Sequence, residues 1–308
     1  MTFEVTILGS NSALPAAGRH PTSQILNVHD QLYLIDCGEA TQIQMNKYKV
    51  KRGGIDHIFI SHLHGDHVLG LLPLINSFAL NRRKRPMNIY GPKPIRRFIE
   101  HQLECTHSVM PYPIHFHEFD EGYSGAVMED ESLTVYSVPL DHRIPTLGYI
   151  FTEKEQAPHI LPEEMRKHGI LFDKVPAIKS GESVLNDKGE QVQAHQLTRP
   201  AAPPRSYAFM SDTRYNPALA SRVEEVDLLY HEATFLHELI DRAEKTKHTT
   251  AREAGEFASA ARVNKMIIGH FSTRYQNLTP LLEEAKNYFS ETMLALEGRT
   301  FEVHQKDV

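Results

Sequence analysis

The sequence lacks several features that mark particular classes of protein. It has only two cysteines in 308 residues, too few for disulfides to stabilise a chain of this size. It contains no run of about 18 apolar residues, and its first residues form neither a basic leader nor a long apolar stretch. These absences predict a protein of a reducing, cytoplasmic compartment, without a membrane span and without secretion.

The charge balance and the composition narrow the classes further. The net charge of -6, from 33 basic and 39 acidic residues, argues against a generally basic nucleic-acid binder, although a local basic patch stays possible. The length corresponds to about two average domains or one large domain, at roughly 150 residues each. Histidine is unusually frequent, with 19 residues, so metal chemistry is a reasonable expectation.

The order of apolar segments predicts an αβ protein with two similar halves. Short strands separated by turns fill the first half, and the second half repeats this pattern and adds the predicted helices Thr249–Ala261 and Leu278–Phe289. In the first half, Val68–Ala79 and Pro94–Leu103 are predicted to be helical. Two strand-then-helix halves that join near residue 145 predict two packed sheets with helices outside them.

The stretch 152–204 differs from the rest of the chain. It contains six prolines, its periodicity is weak, and it is too long for an ordinary loop. It is therefore predicted to be an insertion, either a plain surface segment or a functional arm.

One short motif carries the strongest chemical signal. Four ligand-type side chains lie within six residues, directly after the predicted strand Ile55–Ile60: His62, His64, Asp66 and His67. Imidazole and carboxylate together suit zinc or a similar divalent ion. Gly65 is expected to let the backbone turn so that these side chains converge. The two histidines of His62-Leu63-His64 are expected to serve one metal position and the last two ligands a second position.

Further ligands are expected at the ends of other strands. One metal needs about four ligands and two metals need more. Three later apolar strands end in ligand-type residues: Asp141-His142, Asp212 and His270. Each of these alone is more often a solvated or core polar residue, but the repeated pattern of an apolar strand followed by a ligand favours a shared site.

These motifs together resemble the metallo-β-lactamase superfamily, whose signature is the HxHxDH loop followed by His, Asp and His ligands from later strand ends. Within it, the chain resembles the ribonuclease Z family of tRNA 3′-processing endonucleases, nearly from end to end. HxHxDH alone indicates only the superfamily, whereas HEATF at His231–Phe235 and HFSTRY at His270–Tyr275 together indicate this family within it. The matching segments are Leu8–Pro15, Asp36–Gln42, Tyr90–Pro92, Leu140–His142 with Gly148-Tyr149, Ser211–Arg214, His231–Phe235, His248–Ala251 and Gly269–Tyr275.

The resemblance implies a fold and a set of metal ligands. The fold is an α+β, four-layer αββα sandwich, a single domain over residues 1–308 with a flexible arm inserted at 152–204. The implied cofactor is a pair of Zn²⁺ ions in each subunit, although sites of His and Asp also accept Mn, Fe or Co. His62, His64 and His142 would hold one ion, Asp66, His67 and His270 the other, and Asp212 would bridge them.

The resemblance also implies roles in catalysis. Asp66 would accept the proton of the attacking water, and His248 would protonate the leaving oxygen while Glu232 orients it. The alternative for His248 is a helix-cap residue before Thr249. Arg274 would hold the scissile phosphate through its planar guanidinium, and its alternative is a surface ion pair.

Two segments are candidates for binding RNA. Asn81–Arg97 contains seven basic residues and no acid, and it is either a phosphate-contacting patch or a solvated turn. Family arms clamp the tRNA elbow, and by this resemblance the charge here would come from Lys154, Arg166, Lys167, Lys174 and Lys179, of which the last three are the candidate tRNA-binding residues. The chain departs from the family at the arm tip, where Gly169–Pro176 replaces a Gly-Pro-rich sequence.

The resemblance predicts an enzyme that cuts precursor tRNA after the discriminator nucleotide and leaves a tRNA 3′-hydroxyl and a trailer 5′-phosphate. A homodimer is expected, and no membrane partner. Two other functions stay open. One is a small-molecule phosphodiesterase or ester hydrolase of the same fold, which needs no arm and no basic patch. The other is an RNA-binding module with structural metals, although structural zinc sites are closed by His and Cys, and no cysteine is among the seven donors.

Overall fold

The computed structural model describes residues 2–305, which form two compact units. The first unit is built from the chain up to Thr152 and from Arg205 onward, and the second unit is Glu153–Pro204. In this part of the chain, no helix is long and apolar enough to cross a bilayer.

The first unit contains two seven-stranded sheets. In chain order the strands of both units are β1 Phe3–Gly9, β2 Ser23–Val28, β3 Gln31–Cys37, β4 Ile55–Phe59, β5 Met87–Pro92, β6 Ile114–Phe119, β7 Gly125–Glu129, β8 Leu133–Leu140, β9 Thr146–Glu153, β10 His159–Ile160, β11 Val184–Leu185, β12 Gln191–Val192, β13 Thr198–Arg199, β14 Ser206–Met210, β15 Leu228–Glu232, β16 Lys265–Gly269, β17 Thr292–Leu294 and β18 Thr300–Glu302. In the first unit, the strand order is β18-β1-β2-β3-β4-β5-β6 in one sheet and β17-β16-β15-β14-β9-β8-β7 in the other.

The predicted division of the chain near residue 145 is wrong. The chain changes sheets between β6 and β7, and β18 returns to the first sheet. The strands β7 and β8 pair antiparallel across a tight turn, in which the Asp130 carboxylate accepts hydrogen bonds from the N–H groups of Ser132 and Leu133 at 2.8 Å. This local pairing keeps residues 125–140 with the second sheet.

Alternating side chains separate two apolar cores. In β3, Tyr33 and Ile35 pack into the core that the two sheets share, whereas Leu34 packs into the core between the first sheet and its helices. On the second sheet, Phe257 of one helix and Leu281 of another belong to the same continuous cluster of buried side chains as the strands. The predicted arrangement of two sheets between helices is confirmed.

The helices differ from the predictions mainly at one break. The predicted helix Val68–Ala79 is two helices separated by Leu69-Gly70, because the Gly70 N–H donates to the Cys37 carbonyl oxygen at 2.8 Å instead of to a carbonyl within the helix. A Cβ atom on Gly70 would lie 2.0 Å from the Gly38 carbonyl oxygen. The helices are α1 Thr41–Lys47, α2 Gly65–Val68, α3 Leu71–Leu80, α4 Ile95–Cys105, α5 Pro162–Lys167, α6 Val175–Lys179, α7 Ile240–Thr246, α8 Ala251–Ala260 and α9 Thr279–Lys286.

The second unit has a small core of its own, although its sequence shows little periodicity. Its strands pair as β10 with β13 and β11 with β12, beside the short helices α5 and α6. Elements of two to six residues are too short to produce a visible hydrophobic period. The buried side chains of this core are Met165, Ile170, Ile178, Val184, Val192 and Leu197.

Candidate metal centre

Seven His and Asp side chains meet at the ends of strands in the first unit. The HxHxDH loop follows β4, and single ligand-type residues follow β8, β14 and β16. Their donor atoms fall into two groups, and within each group the atoms lie no more than 4.8 Å apart. The first group is His62, His64, His142 and Asp212, and the second is Asp66, His67 and His270.

In the first group, three imidazole nitrogens face one another. His62 Nε2 and His142 Nε2 lie 3.0 and 3.2 Å from His64 Nδ1. Lone pairs of neutral imidazoles repel at such distances unless a cation or a proton lies between them. Asp212 Oδ2 lies 3.6 Å from His62 Nε2 and 3.8 Å from His142 Nε2. The donor set therefore suits a divalent ion.

In the second group, Asp212 contributes its other oxygen. Asp212 Oδ1 lies 3.2 Å from His270 Nε2 and 3.4 Å from His67 Nε2, and Asp66 Oδ2 lies 3.4 and 3.6 Å from the same two nitrogens. His67 Nε2 is buried without a hydrogen-bond partner, which is costly for a polar atom unless a ligand satisfies it. The two carboxylate oxygens of Asp212 thus face both groups, as a bridging ligand requires.

Hydrogen bonds on the far side of each ring orient four of the histidines. Each of these rings uses its Nδ1 atom for an oxygen outside the cluster, which leaves the Nε2 lone pair directed at a ligand. The partners of Nδ1 are Ser61 Oγ for His62 at 3.0 Å, Asp36 Oδ2 for His67 at 2.7 Å, the Lys247 carbonyl oxygen for His142 at 2.9 Å and Thr234 Oγ1 for His270 at 2.9 Å.

Burial and charge act on the protonation of the cluster in opposite directions. Burial lowers the pKa of His62 well below its ordinary value and lowers the pKa of His64 to about 4, so both rings are neutral at pH 7. Burial also opposes charge on His67, but the carboxylates of Asp212 and Asp66 outweigh it and raise the pKa of that ring. The second group therefore attracts positive charge.

Gly65 does not have the predicted conformational role. It is the first residue of α2 and does not have a positive φ, and a Cβ atom there would approach only the flexible Leu69 side chain. The turn of the loop comes from the start of α2. The close approach that needs glycine is at Gly38, where a Cβ atom would lie 2.4 Å from the Asp66 carbonyl oxygen.

Asp36 supports the centre, and the sequence interpretation gave it no role. It is fully buried, and its carboxylate accepts hydrogen bonds from Ser61 N at 2.7 Å, Ser61 Oγ at 2.8 Å and His67 Nδ1 at 2.7 Å. A signal for it exists, because Asp36 is a carboxylate next to the last residue of the apolar strand β3, close in position to Asp212 just after β14.

We expect Asp36→Asn to lower metal affinity by roughly 10- to 100-fold, the usual cost of removing a supporting carboxylate. Asparagine tolerates the φ of 55° at this position, but it cannot accept three hydrogen bonds with a full negative charge. Isothermal titration of the metal-free protein with Zn²⁺ measures the effect. Unchanged affinity in a folded Asp36→Asn variant would show that the His67 ring needs no carboxylate partner.

His248 and Glu232 form a second buried pair beside the cluster. Glu232 Oε1 lies 3.0 Å from His248 Nδ1, and the carboxylate also accepts hydrogen bonds from Thr213 N at 2.7 Å and Thr234 Oγ1 at 2.5 Å. Burial opposes the charge on His248, but Glu232 outweighs it and raises the pKa of the ring to about 9. The helix-cap alternative for His248 is wrong, because Thr250 caps α8 through a capping box with Glu253.

Lys247 ties the turn before His248 to the end of β8. Its Nζ atom donates hydrogen bonds to Asp141 Oδ1 at 2.7 Å and to the His142 carbonyl oxygen at 3.0 Å. Its own carbonyl oxygen accepts the His142 Nδ1–H bond described above. The backbone that carries His248 and the ligand candidate His142 are therefore fixed to each other.

A cavity of about 510 Å³ opens over the centre. His64, Asp66, Asp212, His248 and His270 line it, together with Arg274. The Arg274 Nε atom donates to Ser272 Oγ at 3.0 Å, and its guanidinium lies 5.2 Å from the centroid of the Phe235 ring. Within residues 2–305, Arg274 forms no ion pair with a carboxylate, so the ion-pair alternative for this residue is not what the structure shows.

Part of the predicted basic patch at Asn81–Arg97 is paired with acidic residues. Arg83 is buried, pairs with Asp56 and donates to the Ile55 carbonyl oxygen at 3.0 Å, so it stabilises the fold. Three further basic residues pair with acids from other segments or from α4: Arg85 with Asp56 at 3.1 Å, Lys93 with Asp120 at 2.9 Å and Arg96 with Glu100 at 2.9 Å. Asp56, Asp120 and Glu100 offset only part of the charge of the segment, and its contact with RNA phosphates stays a prediction.

The three arm lysines lie on the surface of the second unit. Lys167 pairs with Glu164 at 3.2 Å and Lys174 with Asp173 at 3.6 Å, whereas Lys179 has no carboxylate partner in the part of the chain that the structure describes. The unit contains eight acidic and seven basic residues, so it is not basic overall.

Comparison with known proteins gives relatives over almost the whole chain. The ribonuclease Z of Parabacteroides distasonis is 44% identical over 301 residues, which cover 98% of this chain and 99% of that protein. The ribonuclease Z of Bacteroides fragilis is 42% identical over 96% of this chain and 97% of that protein. A family model described as Anti-Pycsar protein Apyc1 matches residues 3–123.

Solved structures that resemble this chain include a tRNase Z and a metallo-β-lactamase fold protein. The short form of human tRNase Z has a TM-score of 0.73 and 26% identity over 98% of this chain and 99% of that chain. The metallo-β-lactamase fold protein YhfI of Bacillus subtilis has a TM-score of 0.70 over 98% of this chain and all of that chain; its 18% identity speaks for the fold alone. The predicted metallo-β-lactamase fold is therefore confirmed, and the chain belongs to the ribonuclease Z family.

Proposed function

We propose that this chain is an endoribonuclease that removes the 3′ trailer from precursor tRNA. It cuts after the discriminator nucleotide and leaves a 3′-hydroxyl on the tRNA and a 5′-phosphate on the trailer. The observation that carries the proposal is the convergence of seven His and Asp donors beneath one cavity, in a chain that matches ribonuclease Z over nearly its full length.

The donor set supports two divalent ions, with zinc as the proposed metal. His62, His64 and His142 would hold the first, Asp66, His67 and His270 the second, and Asp212 both, because its two oxygens face both groups. When bound, such a pair of ions lowers the pKa of the attacking water and stabilises both oxygens of an in-line phosphoryl displacement. Imidazole and carboxylate ligands are typical of zinc.

The chain's own residues supply the proton transfers in this proposal. Asp66 lines the cavity, and its Oδ2 atom accepts a hydrogen bond from the N–H of Ala13 at 2.7 Å, which fixes the carboxylate that takes a proton from water. His248 gives a proton to the leaving 3′-oxygen, and Glu232 holds its ring in place. Arg274 binds the scissile phosphate with a guanidinium that has no carboxylate partner within residues 2–305.

The direct test is to incubate the purified protein with a precursor tRNA and to map the new ends. We expect one cut after the discriminator nucleotide, a 3′-hydroxyl on the tRNA and a 5′-phosphate on the trailer, with loss of cleavage after chelation. The metal content, measured in the same preparation, identifies the ion. Absence of cleavage in a metal-loaded preparation would overturn the proposed function.

We propose that Glu153–Pro204 is the arm that holds tRNA away from the scissile bond. Thr152 and Ser206 are paired neighbours in β9 and β14, so a short Gly/Ser turn can replace Lys154–Pro203 without moving either strand. The core of the second unit is separate from the cores of the first, so the metal centre should be retained. We expect the deletion to raise the KM for precursor tRNA while bis(p-nitrophenyl) phosphate is still hydrolysed.

The control for this deletion is a variant with Lys167, Lys174 and Lys179 all changed to glutamine. All three lysines are exposed, so the unit stays folded. If they contact phosphates, this variant should reproduce the KM increase and flatten the dependence of log KM on log salt by about one for each lost contact. Equal tRNA cleavage by the deleted and full-length proteins would contradict the arm's role and favour the small-molecule phosphodiesterase alternative.

Two expectations from the sequence remain, the alternative of an RNA-binding module and the homodimer. The RNA-binding module with structural metals is disfavoured, because neither cysteine belongs to the clustered donors. The homodimer stays a prediction, and light scattering at several protein concentrations measures it.

A further inference from the structure

Three exposed arginines surround the metal centre, and only one of them has a role so far. Arg143, Arg242 and Arg274 line the same cavity. In the described residues, none of the three pairs with a carboxylate, whereas the neighbouring Arg214 lies 3.5 Å from Asp141 Oδ2. In a chain with a net charge of -6, unpaired guanidinium groups at one cavity indicate an anionic ligand that extends beyond a single phosphate.

The three arginines reach the part of the cavity near His248 from different segments of the chain. Arg242 lies in α7, and its guanidinium is 5.9 Å from the centroid of the Phe235 ring, which in turn lies 6.1 Å from the His248 ring. Arg143 directly follows His142, whose ring centroid is 5.1 Å from that of His248. Arg274 lies 5.2 Å from the same Phe235 ring, so the part of the cavity near the proposed proton donor carries Arg274 as well as Arg143 and Arg242.

The chemistry of the reaction decides which part of the RNA lies on this side. A P–O bond to water forms as the bond between phosphorus and O3′ of the discriminator nucleotide breaks. One proton of water passes to Asp66, and O3′ receives one from His248. The phosphate leaves with the trailer, so the group next to His248 is the last ribose of the tRNA. The next phosphate on that side is the 5′-phosphate of the discriminator nucleotide.

We propose that Arg143 and Arg242 form a subsite for the backbone phosphates on the tRNA side of the scissile bond, separate from the scissile phosphate at Arg274. This subsite rests on the proposed function. Guanidinium groups bind phosphate oxygens through two parallel hydrogen bonds, so two of them can fix the acceptor strand with O3′ at His248. By holding the tRNA part of the substrate, the subsite helps to determine which phosphodiester bond is cleaved.

The test measures Arg143→Gln and Arg242→Gln with precursors that carry trailers of one nucleotide and of about ten nucleotides. Each variant should raise the KM for both precursors by the same factor, about tenfold, the value of a charge-assisted hydrogen bond. Each should weaken inhibition by mature tRNA that ends at the discriminator nucleotide. Inhibition by a 5′-phosphorylated trailer oligonucleotide should change less, and so should hydrolysis of bis(p-nitrophenyl) phosphate, which has no second phosphate.

The matched control is Arg222→Gln, which removes an exposed arginine outside the cavity and should change none of these values. Thermal unfolding of each variant shows whether the fold is intact. If the wild-type protein fails to cleave precursor tRNA, the proposed function and the subsite both fall. If it cleaves, and inhibition by mature tRNA is unchanged in both variants, only the subsite is overturned. A KM increase that disappears with the one-nucleotide trailer would assign the arginines to the trailer and overturn it as well.

Discussion

Asp212→Ala should abolish cleavage of precursor tRNA and remove most of the metal that the purified protein retains. The Asp212 side chain is buried, and its two oxygens are the only ones in the described cluster that face both groups of histidines. Its loss removes a ligand from both proposed positions at once. The fall in metal affinity should therefore exceed the roughly 10- to 100-fold that the loss of a supporting group costs. Metal analysis and single-turnover cleavage measure the two effects.

Two further variants separate loss of metal from loss of fold. Asp212→Asn keeps the shape of the side chain and should lose activity nearly as completely, because a neutral amide is a poor metal ligand. His64→Ala removes a half-buried ligand from the first group only, and it should also abolish turnover. If either alanine variant kept near-native activity with full metal content, the assignment of two bridged ions would be wrong. Removal of the metal from the wild-type protein by a chelator should abolish cleavage of precursor tRNA, as Asp212→Ala does.

The cluster could be predicted from sequence because four of its members lie in the HxHxDH segment after the apolar strand β4 and the other three lie just after β8, β14 and β16. The carboxyl ends of parallel strands lie at one edge of a sheet, so a ligand-type residue placed there has a defined location within its sheet even when the strand order is unknown. That the segment after β4 of the first sheet meets residues of the second sheet does not follow from this rule. A carboxylate near the end of an apolar strand also occurs at Asp36, so the supporting role of this residue could have been predicted in the same way. Supporting contacts such as that between Lys247 and Asp141 left no signal, because they join residues more than 100 positions apart.

The wrong division of the fold and the partial pairing of the basic patch have the same physical origin. The division near residue 145 followed the order of elements along the chain, whereas sheet membership depends on which strands pair, and β7 and β8 pair locally. The seven basic residues of Asn81–Arg97 form an acid-free run in sequence, yet Asp56 and Asp120 reach them from other segments. Neither pairing can be read from local composition, because both depend on contacts between segments distant in sequence.

His248→Ala should lower the rate of cleavage by about 10² to 10⁴, the usual contribution of a positioned general acid or base. Glu232 accepts the hydrogen bond of Nδ1, which leaves Nε2 as the nitrogen that exchanges a proton with the substrate. Because His248 lies close to Asp212 and His270, it is also a potential ligand, and metal content distinguishes the two roles. A proton donor can be removed without loss of metal, whereas a ligand cannot.

The leaving group provides the sharper test of that role. The 3′-oxygen of a ribose is a poor leaving group without a proton, whereas p-nitrophenolate leaves without one. The defect of His248→Ala should therefore be large with precursor tRNA and much smaller with bis(p-nitrophenyl) phosphate. Glu232→Gln should show the same pattern with a smaller loss, because it weakens the orientation of the ring and leaves the ring in place. A tRNA cleavage rate within about threefold of wild type, or equal losses with both leaving groups, would remove His248 from the proton transfer.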